Sequence, residues 1–345
     1  MFDLNKIVRR NILELEAYSS ARSEYVGDAD VFLDANENPF GKWNRYPDPY
    51  QQKLKKQISK IKQVDTSNIF LGNGSDEIID LLFRIFCKPG KDKALTFSPT
   101  YGMYDVSAGI NDVELIKVPL NNIFELNYNN VLTYLSDPLL KLIFICSPNN
   151  PTGNSFSKKT IEKICADFNG IVVIDEAYID FSTEQSLVEL LNENGNLVVI
   201  QTLSKAWGLA AVRVGMAFCS TSIIQLLNKV KPPYNISATN QEVALNALQD
   251  ISTFEKNIAL ILSEKEKLRE KLRQLDTVEK VFPSDTNFFL IKVKNANRTY
   301  RQLVEKKIIV RNRNTLVKNC IRITVGTNTE NNKLIKALQE LENKS

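Results

Sequence analysis

The 345-residue chain contains no histidine. That absence removes the commonest zinc and copper ligand, and with it the side chain that most often moves protons near neutral pH. Cysteine is sparse as well: Cys87, Cys146, Cys165, Cys219 and Cys320 form an odd set without C-x-x-C spacing, and Cys146 and Cys219 sit inside apolar runs. The pattern argues against a disulfide framework and favours reduced, mostly buried thiols in a cytoplasmic protein. With neither ligand type clustered, no catalytic metal is expected, and proton transfer falls to Lys, Tyr, Asp, Glu or Cys. Long apolar runs are also missing. No segment approaches about 18 apolar residues, and the N-terminus carries charges throughout, so neither a membrane span nor an export segment is expected. Finally, 44 Lys and Arg against 40 Asp and Glu leave a net charge of only +4. The basic residues are dispersed, which speaks against a nucleic-acid or membrane-surface partner.

What is present is alternation. Apolar bursts of strand length fall at 69–72, 93–97, 114–118, 141–146, 171–175, 197–202 and 214–219, separated by amphipathic segments. Continuous apolar strands suit a parallel sheet covered on both faces, so an α/β domain is predicted, with its ligand beyond the carboxyl ends of the strands. "SDEIIDLLFRIFCK" predicts a helix with Ser75 as N-cap, and "SKKTIEKICADF" another after Ser157. Beyond "KPPYNISATNQ" the pattern predicts one long helical stretch over about 238–275. A strand-helix-strand-strand-helix series follows, read as a smaller α+β domain to which the first 30 or so residues add an arm and a helix. The expected division is 1–31 as an N-terminal arm and small-domain segment, 32–245 as the large domain and 246–345 as the small one.

Four polar clusters fall at predicted strand ends. "LGNGSDE" breaks a strand at Gly72 and Gly74 and opens a helix at Ser75 and Asp76: a plain turn, or an anion site on free helix N–H groups. In "CSPNNPTGN", Asn150 is either a turn residue or a ligand contact. In "IVVIDEAYIDF", Asp175 ends an apolar strand and Tyr178 follows; a carboxylate in a dry cleft is costly unless a cation answers it, and the alternative is an Asp that caps a loop. In "QTLSKAWGLAAVRVG", Thr202, Ser204 and Lys205 end a strand and Arg213 follows. A desolvated lysine there becomes a nucleophile able to form a Schiff base, and Arg213 can grip a phosphate; each also reads as an ordinary surface or ion-paired residue.

Taken together, phosphate-gripping groups, an Asp for a ring nitrogen, an Asn and a Tyr for a ring oxygen and a Schiff-base lysine describe a site for pyridoxal 5'-phosphate. The order "NGSDE", "PTYGMY", "SPNNPTG", "DEAYIDF", "TLSKAWGLAAVRVG" resembles the fold type I pyridoxal-phosphate-dependent aminotransferases of the class II family, and within them the histidinol-phosphate aminotransferases. "LDANENPFG", "NRYPDP", "IIVRNRN" and "CIRITVG" extend the resemblance over nearly the whole chain. The resemblance implies that Lys205 holds the cofactor and shuttles a proton, Asp175 pairs with the ring nitrogen, and Asn150 and Tyr178 bond the ring hydroxyl. It also implies that Tyr101 stacks on the ring, that Ser75, Asp76, Thr202, Ser204 and Arg213 hold the phosphate, and that Tyr46 reaches the same phosphate from a second subunit of a homodimer. For substrate it implicates Arg311 and Arg322, with the partner's Tyr18 and Asn36 closing the site. The implied reaction moves an amino group between L-histidinol phosphate and 2-oxoglutarate, giving L-glutamate. Threonine-phosphate decarboxylases and broad aromatic aminotransferases share these motifs, and a non-catalytic ligand sensor on the same scaffold is the alternative from another class.

Overall fold

The structure, a computed structural model, describes residues 2–18 and 30–342. All seven expected strands form: β1 (Ile69–Asn73), β2 (Lys93–Ser98), β3 (Glu114–Pro119), β4 (Leu140–Cys146), β5 (Ile171–Asp175), β6 (Leu197–Thr202) and β7 (Val214–Cys219). They build one sheet in the order β1-β7-β6-β5-β4-β2-β3. The run from β3 to β6 is parallel, whereas β7 lies antiparallel to both β6 and β1. The expected mostly parallel, mixed α/β sheet is therefore the architecture.

Period-two alternation explains why these strands read as unbroken apolar runs. In β4, Leu142, Phe144 and Cys146 face one apolar layer while Ile143 and Ile145 face the other. The first layer holds helices α2 (Ser75–Phe86), α3 (Met103–Ile110) and α5 (Thr221–Val230); the second holds α1 (Gln52–Lys62), α4 (Lys158–Asp167) and α6 (Ala238–Gln249). Burying one such Leu, Ile or Phe side chain contributes roughly 1.5–3 kcal/mol.

A second sheet, in the order β10-β11-β9-β8, is antiparallel throughout and comprises β8 (Val278–Val281), β9 (Phe288–Val293), β10 (Arg311–Asn312) and β11 (Cys320–Thr324). It packs with α7 (Ile251–Arg273), α8 (Ala296–Glu305) and α9 (Asn328–Glu342) around its own core, which includes Leu272, Phe289, Ile321 and Leu338.

The structure corrects five expectations. The long helix over 238–275 is two helices, broken at Asp250, whose φ −99°, ψ 68° backbone ends α6 and whose carboxylate caps α7 through the Thr253 N–H. Strand β8 was not expected, because its alternation is half-exposed and charged. The apolar "IIVR" run pairs only from Arg311. Ser75 is the first residue inside α2 and not its cap; Gly74, with φ 80° and ψ 166°, occupies the cap position, a conformation that favours glycine. Residues 2–13, expected with the smaller domain, instead lay Val8 and Ile12 into the layer containing Ile85 and Leu227, with Arg9 N–H bonded to the Ile85 carbonyl. The remainder of the expected arm, residues 19–29, lies outside the described residues.

One close approach sets the geometry that the site inherits. A Cβ on Gly215 of β7 would lie 2.3 Å from Ser75 N and 2.4 Å from Gly74 C. The start of α2 therefore rests directly on the β7 backbone. Gly215→Ala is predicted to destabilise the protein by about 1–3 kcal/mol, because backbone must move to admit the methyl. Gly109→Ala, on α3 with nothing within 4 Å of the new methyl, is predicted to be neutral or to stabilise by about 0.4–1 kcal/mol. Urea denaturation of both variants checks the pair.

Candidate active site

Three polar side chains stand in a row where β4, β5 and β6 end. Cys146 pairs with Asp175 across β4 and β5, and Thr202 continues the same face on β6, two residues beyond buried Ile200. Alternation thus aims all three at the layer from which α3 delivers Tyr104. The Tyr104 hydroxyl donates to Asp175 Oδ2 at 2.8 Å, and the Ala177 N–H donates to Oδ1 at 3.1 Å. Tyr104 is fully buried, stacked on Phe144 at 5.0 Å. Asp175 itself is 3% exposed. Burial pushes its carboxyl up to about 6, against the pull of the two hydrogen bonds. No cation lies within ion-pair distance of it among the described residues.

Its sequence neighbour, Glu176, points to the opposite face. Glu176 accepts hydrogen bonds from Ser186 Oγ, Leu187 N–H and Gln201 Nε2 and so anchors the following loop. The two asparagines of "SPNNPTG" divide in the same way. Asn149, wholly buried, bonds Pro99 O, Thr152 Oγ1 and Thr100 Oγ1 and shapes the loop. Asn150 faces the cavity, its Nδ2 3.4 Å from the Tyr178 hydroxyl.

Around these groups lies a cavity of about 340 Å³ that collects Ser75, Asp76, Tyr101, Asn150, Asp175 and Tyr178. Thr202, Ser204, Lys205, Arg213, Arg311 and Arg322 complete the expected residues on its wall. Lys205 opens to the cavity with Nζ 5.6 Å from the centre of the Tyr178 ring. Burial, and then the charge of Arg322, lower its pKa, so its neutral amine is favoured. At one end α2 presents its first N–H groups without any side-chain cap, facing Arg213, which bonds Ser204 Oγ at 3.4 Å and approaches Asp76 at 3.8 Å. Arg213 reaches this place from a left-handed backbone (φ 53°), and a side chain on Gly74 would strike its guanidinium. Uncapped N–H groups beside an arginine make an anion site.

The other end is built by the smaller sheet. Alternation along β11 buries Ile321 and Ile323 in its own core and turns Arg322 outward. Arg322 Nη1 donates to Asn150 Oδ1 at 2.5 Å, and its guanidinium lies 5.0 Å from the centre of the Phe288 ring, which in turn meets Tyr178 edge-on. Arg311 pairs with Arg322 across β10 and β11.

Two wall residues were not foreseen. Tyr104 comes one helical turn after Tyr101 in "YGMY", a spacing that places both on one face. Arg313 alternates with Arg311 in "RNR", so a strand reading of that segment would have found it. Three foreseen residues lie outside the cavity of the single chain. Tyr18 is 72% exposed, Tyr46 stacks on Tyr234 at 4.4 Å, and Asn36 sits in a left-handed turn.

A buried acid without a cation, a neutral-leaning lysine and an anion cradle in one cavity are the features of a group-transfer site that holds a phosphorylated cofactor. A family model described as aminotransferase class I and II matches residues 21–338, and the chain belongs to that family. It is 51% identical to the histidinol-phosphate aminotransferase of Parabacteroides distasonis, over 99% of this chain and 100% of that relative. It is 49% identical to the corresponding protein of Cytophaga hutchinsonii, over 98% of this chain and 99% of that one. The fold superposes on the histidinol-phosphate aminotransferase of Clostridium acetobutylicum with a TM-score of 0.81 at 24% identity, covering 88% of this chain and 92% of that one. The Sinorhizobium meliloti enzyme, solved in complex with pyridoxal-5'-phosphate, gives a TM-score of 0.78 at 21% identity, covering 87% and 83%. No described helix is long and apolar enough to cross a membrane.

Asp175 has a folded value above its ordinary 3.8. Its contribution to stability is therefore complete below 3.8 and is lost as pH rises through 6. A shift of this size corresponds to about 3 kcal/mol. Protein prepared without ligand is predicted to lose that much stability, relative to Asp175→Asn, between pH 4 and 7. Tyr104→Phe removes a bond that favours the charged form and moves the loss to higher pH. Thermal unfolding across a pH series is the check.

Proposed function

We propose that this chain exchanges an amino group between L-histidinol phosphate and 2-oxoglutarate, yielding imidazole acetol phosphate and L-glutamate, with pyridoxal 5'-phosphate as its cofactor. The observation that carries the reading is Asp175, buried without a cation, sharing one cavity with Lys205 and an uncapped helix N-terminus. The cofactor would bring what each of these groups lacks: a basic ring nitrogen, an aldehyde and a phosphate. The nearly 50% likeness over the full chain to histidinol-phosphate aminotransferases supports the substrate.

In this reading Asp175, held by Tyr104 and the Ala177 N–H, would pair with the ring nitrogen, and Asn150 and Tyr178 would bond the ring oxygen. Tyr101, whose hydroxyl is tethered to Asp76 at 3.1 Å, would cover the ring face. Arg213, Ser204, Thr202 and the N–H groups of Ser75 and Asp76 would take the phosphate. Bound there, the cofactor supplies an electron sink that stabilises negative charge at the substrate's α-carbon. Lys205 would anchor the aldehyde, and its Nζ, favoured as the neutral amine, would take the α-proton and later redeliver it. Arg311 and Arg322 would grip the substrate phosphate in one half of the reaction and the carboxylates of glutamate in the other.

The reading includes a homodimer. Leu33, Phe40 and Trp43 are 91%, 82% and 59% exposed on one N-terminal stretch beside Tyr46, more contiguous apolar surface than a monomer usually leaves to water. A second copy covering this stretch would bring Tyr46 to the neighbouring phosphate site, and Tyr18 and Asn36 to the substrate.

Purified protein supplied with pyridoxal phosphate is predicted to form glutamate from histidinol phosphate and 2-oxoglutarate in a coupled assay. Release of carbon dioxide from phosphothreonine without glutamate would contradict the reading. Lys205→Ala is predicted to lower the rate by roughly a thousandfold or more. Phe40→Glu combined with Trp43→Glu is predicted to yield monomers by sedimentation, with activity lost in step.

A further inference from the structure

The proposed function assigns substrate anions to two arginines, yet the cavity holds three. Arg313 lines it together with Arg311 and Arg322. No carboxylate lies within 4.0 Å of any of the three among the described residues. With Lys205 and Arg213, five cationic side chains face two carboxylates, Asp76 and Asp175. Only one of the three arginines has a side-chain task in the protein: Arg322 is tied to Asn150 and lies over Phe288. The Nε atoms of Arg313 and Arg322 are buried without any hydrogen-bond partner. Arg313 takes part in the fold only through its backbone, its N–H donating to Cys320 O and its carbonyl accepting from Leu316 and Val317. Mutual repulsion adds to the case: burial, then Arg322 and Arg311, pull the Arg313 guanidinium down to about 10.

Repulsion between guanidiniums in a partly dry site is unfavourable until an anion of matching charge arrives. A single carboxylate leaves most of it unanswered. A phosphomonoester, with a charge of about −1.5 to −2 at neutral pH and three acceptor oxygens, answers it well. We propose that Arg313 is a specificity-determining residue that grips the phosphate of the substrate and sets the preference for phosphorylated over unphosphorylated amino alcohol. The proposal rests on the functional reading above and assigns its phosphate selectivity to a residue that reading leaves out. In this division of labour Arg322 couples the substrate to the Asn150 side of the site. Arg311 stands at the exposed rim of β10, and Arg313 supplies the charge that has no other occupation.

The test uses imidazolylpropyl phosphate, which lacks the reactive amine, and imidazolylpropanol, which also lacks the phosphate. Each is titrated calorimetrically into the cofactor-loaded protein. Wild type is expected to prefer the phosphate. Arg313→Gln is expected to weaken binding of the phosphate by about tenfold to a hundredfold, the range for hydrogen bonds to charged groups, and to leave the alcohol within about twofold. Arg313→Lys, which keeps the charge but not the fork, is expected to fall between them. The kcat/KM ratio of histidinol phosphate to histidinol should follow the same order. An Arg313→Gln protein that keeps the wild-type preference, or that weakens both compounds alike, overturns the proposal while the functional reading stands. Wild type that binds the two compounds equally overturns the functional reading and the proposal with it.

Discussion

A carboxylate buried at the end of a strand is the constraint on which the rest of this molecule depends. Asp175 ends β5 at the centre of a sheet covered on both faces, where an unanswered charge is expensive. Two hydrogen bonds, from Tyr104 and from the Ala177 N–H, hold its position without satisfying its charge. They in turn require α3 to pack close enough for Tyr104 to stack on Phe144, and they require the chain to turn immediately after the strand. The outer end of the site is then set by the contact of Gly215 with the start of α2, which aligns uncapped N–H groups with Arg213. Between these two fixed points lies room for a molecule that is cationic at one end and anionic at the other.

The two sheets meet through few atoms, and those atoms belong to the chemistry. Arg322 of β11 bonds Asn150 beyond β4, and Phe288 of β9 meets Tyr178 beyond β5. The residues placed to orient a ring oxygen are thus the same ones that touch the substrate arginine. Any shift of the smaller sheet is felt at Asn150 and Tyr178, so substrate grip and ring orientation are mechanically joined. The concentration of arginine there also accounts for the lowered pKa of Lys205, which responds first to burial and next to Arg322.

Much of this was legible in the sequence, for physical reasons that differ between elements. The seven strands stood out because both faces of the sheet are covered, which leaves little polar alternation to confuse their limits. Asp175, Lys205 and Asn150 stood out because polar residues closing an apolar run need a partner. The cap of α2 was misread because Ser75 is the commoner capping type, while the turn needed the positive φ of Gly74. The break at Asp250 was hidden within continuous helical periodicity. Tyr104 passed unnoticed since a tyrosine on a helix next to a sheet reads as core, and its polar tip matters only once Asp175 is beside it. Arg313 was obscured because β10 is two residues long, too short for alternation to show. The described N-terminal residues pack with the large sheet through Val8 and Ile12, contacts to distant residues that no local pattern reveals.

The most direct test of this account is the titration of one carboxyl group. Carbon-13 NMR of protein labelled at aspartate, with Asp175→Asn to assign the signal, reports the ionisation of Asp175 with and without pyridoxal phosphate. The account predicts a midpoint near 6 in the ligand-free protein and a carboxylate that stays ionised well below that pH once a cationic ring nitrogen is beside it. An Asp175 signal that titrates at the same pH in both states would contradict it.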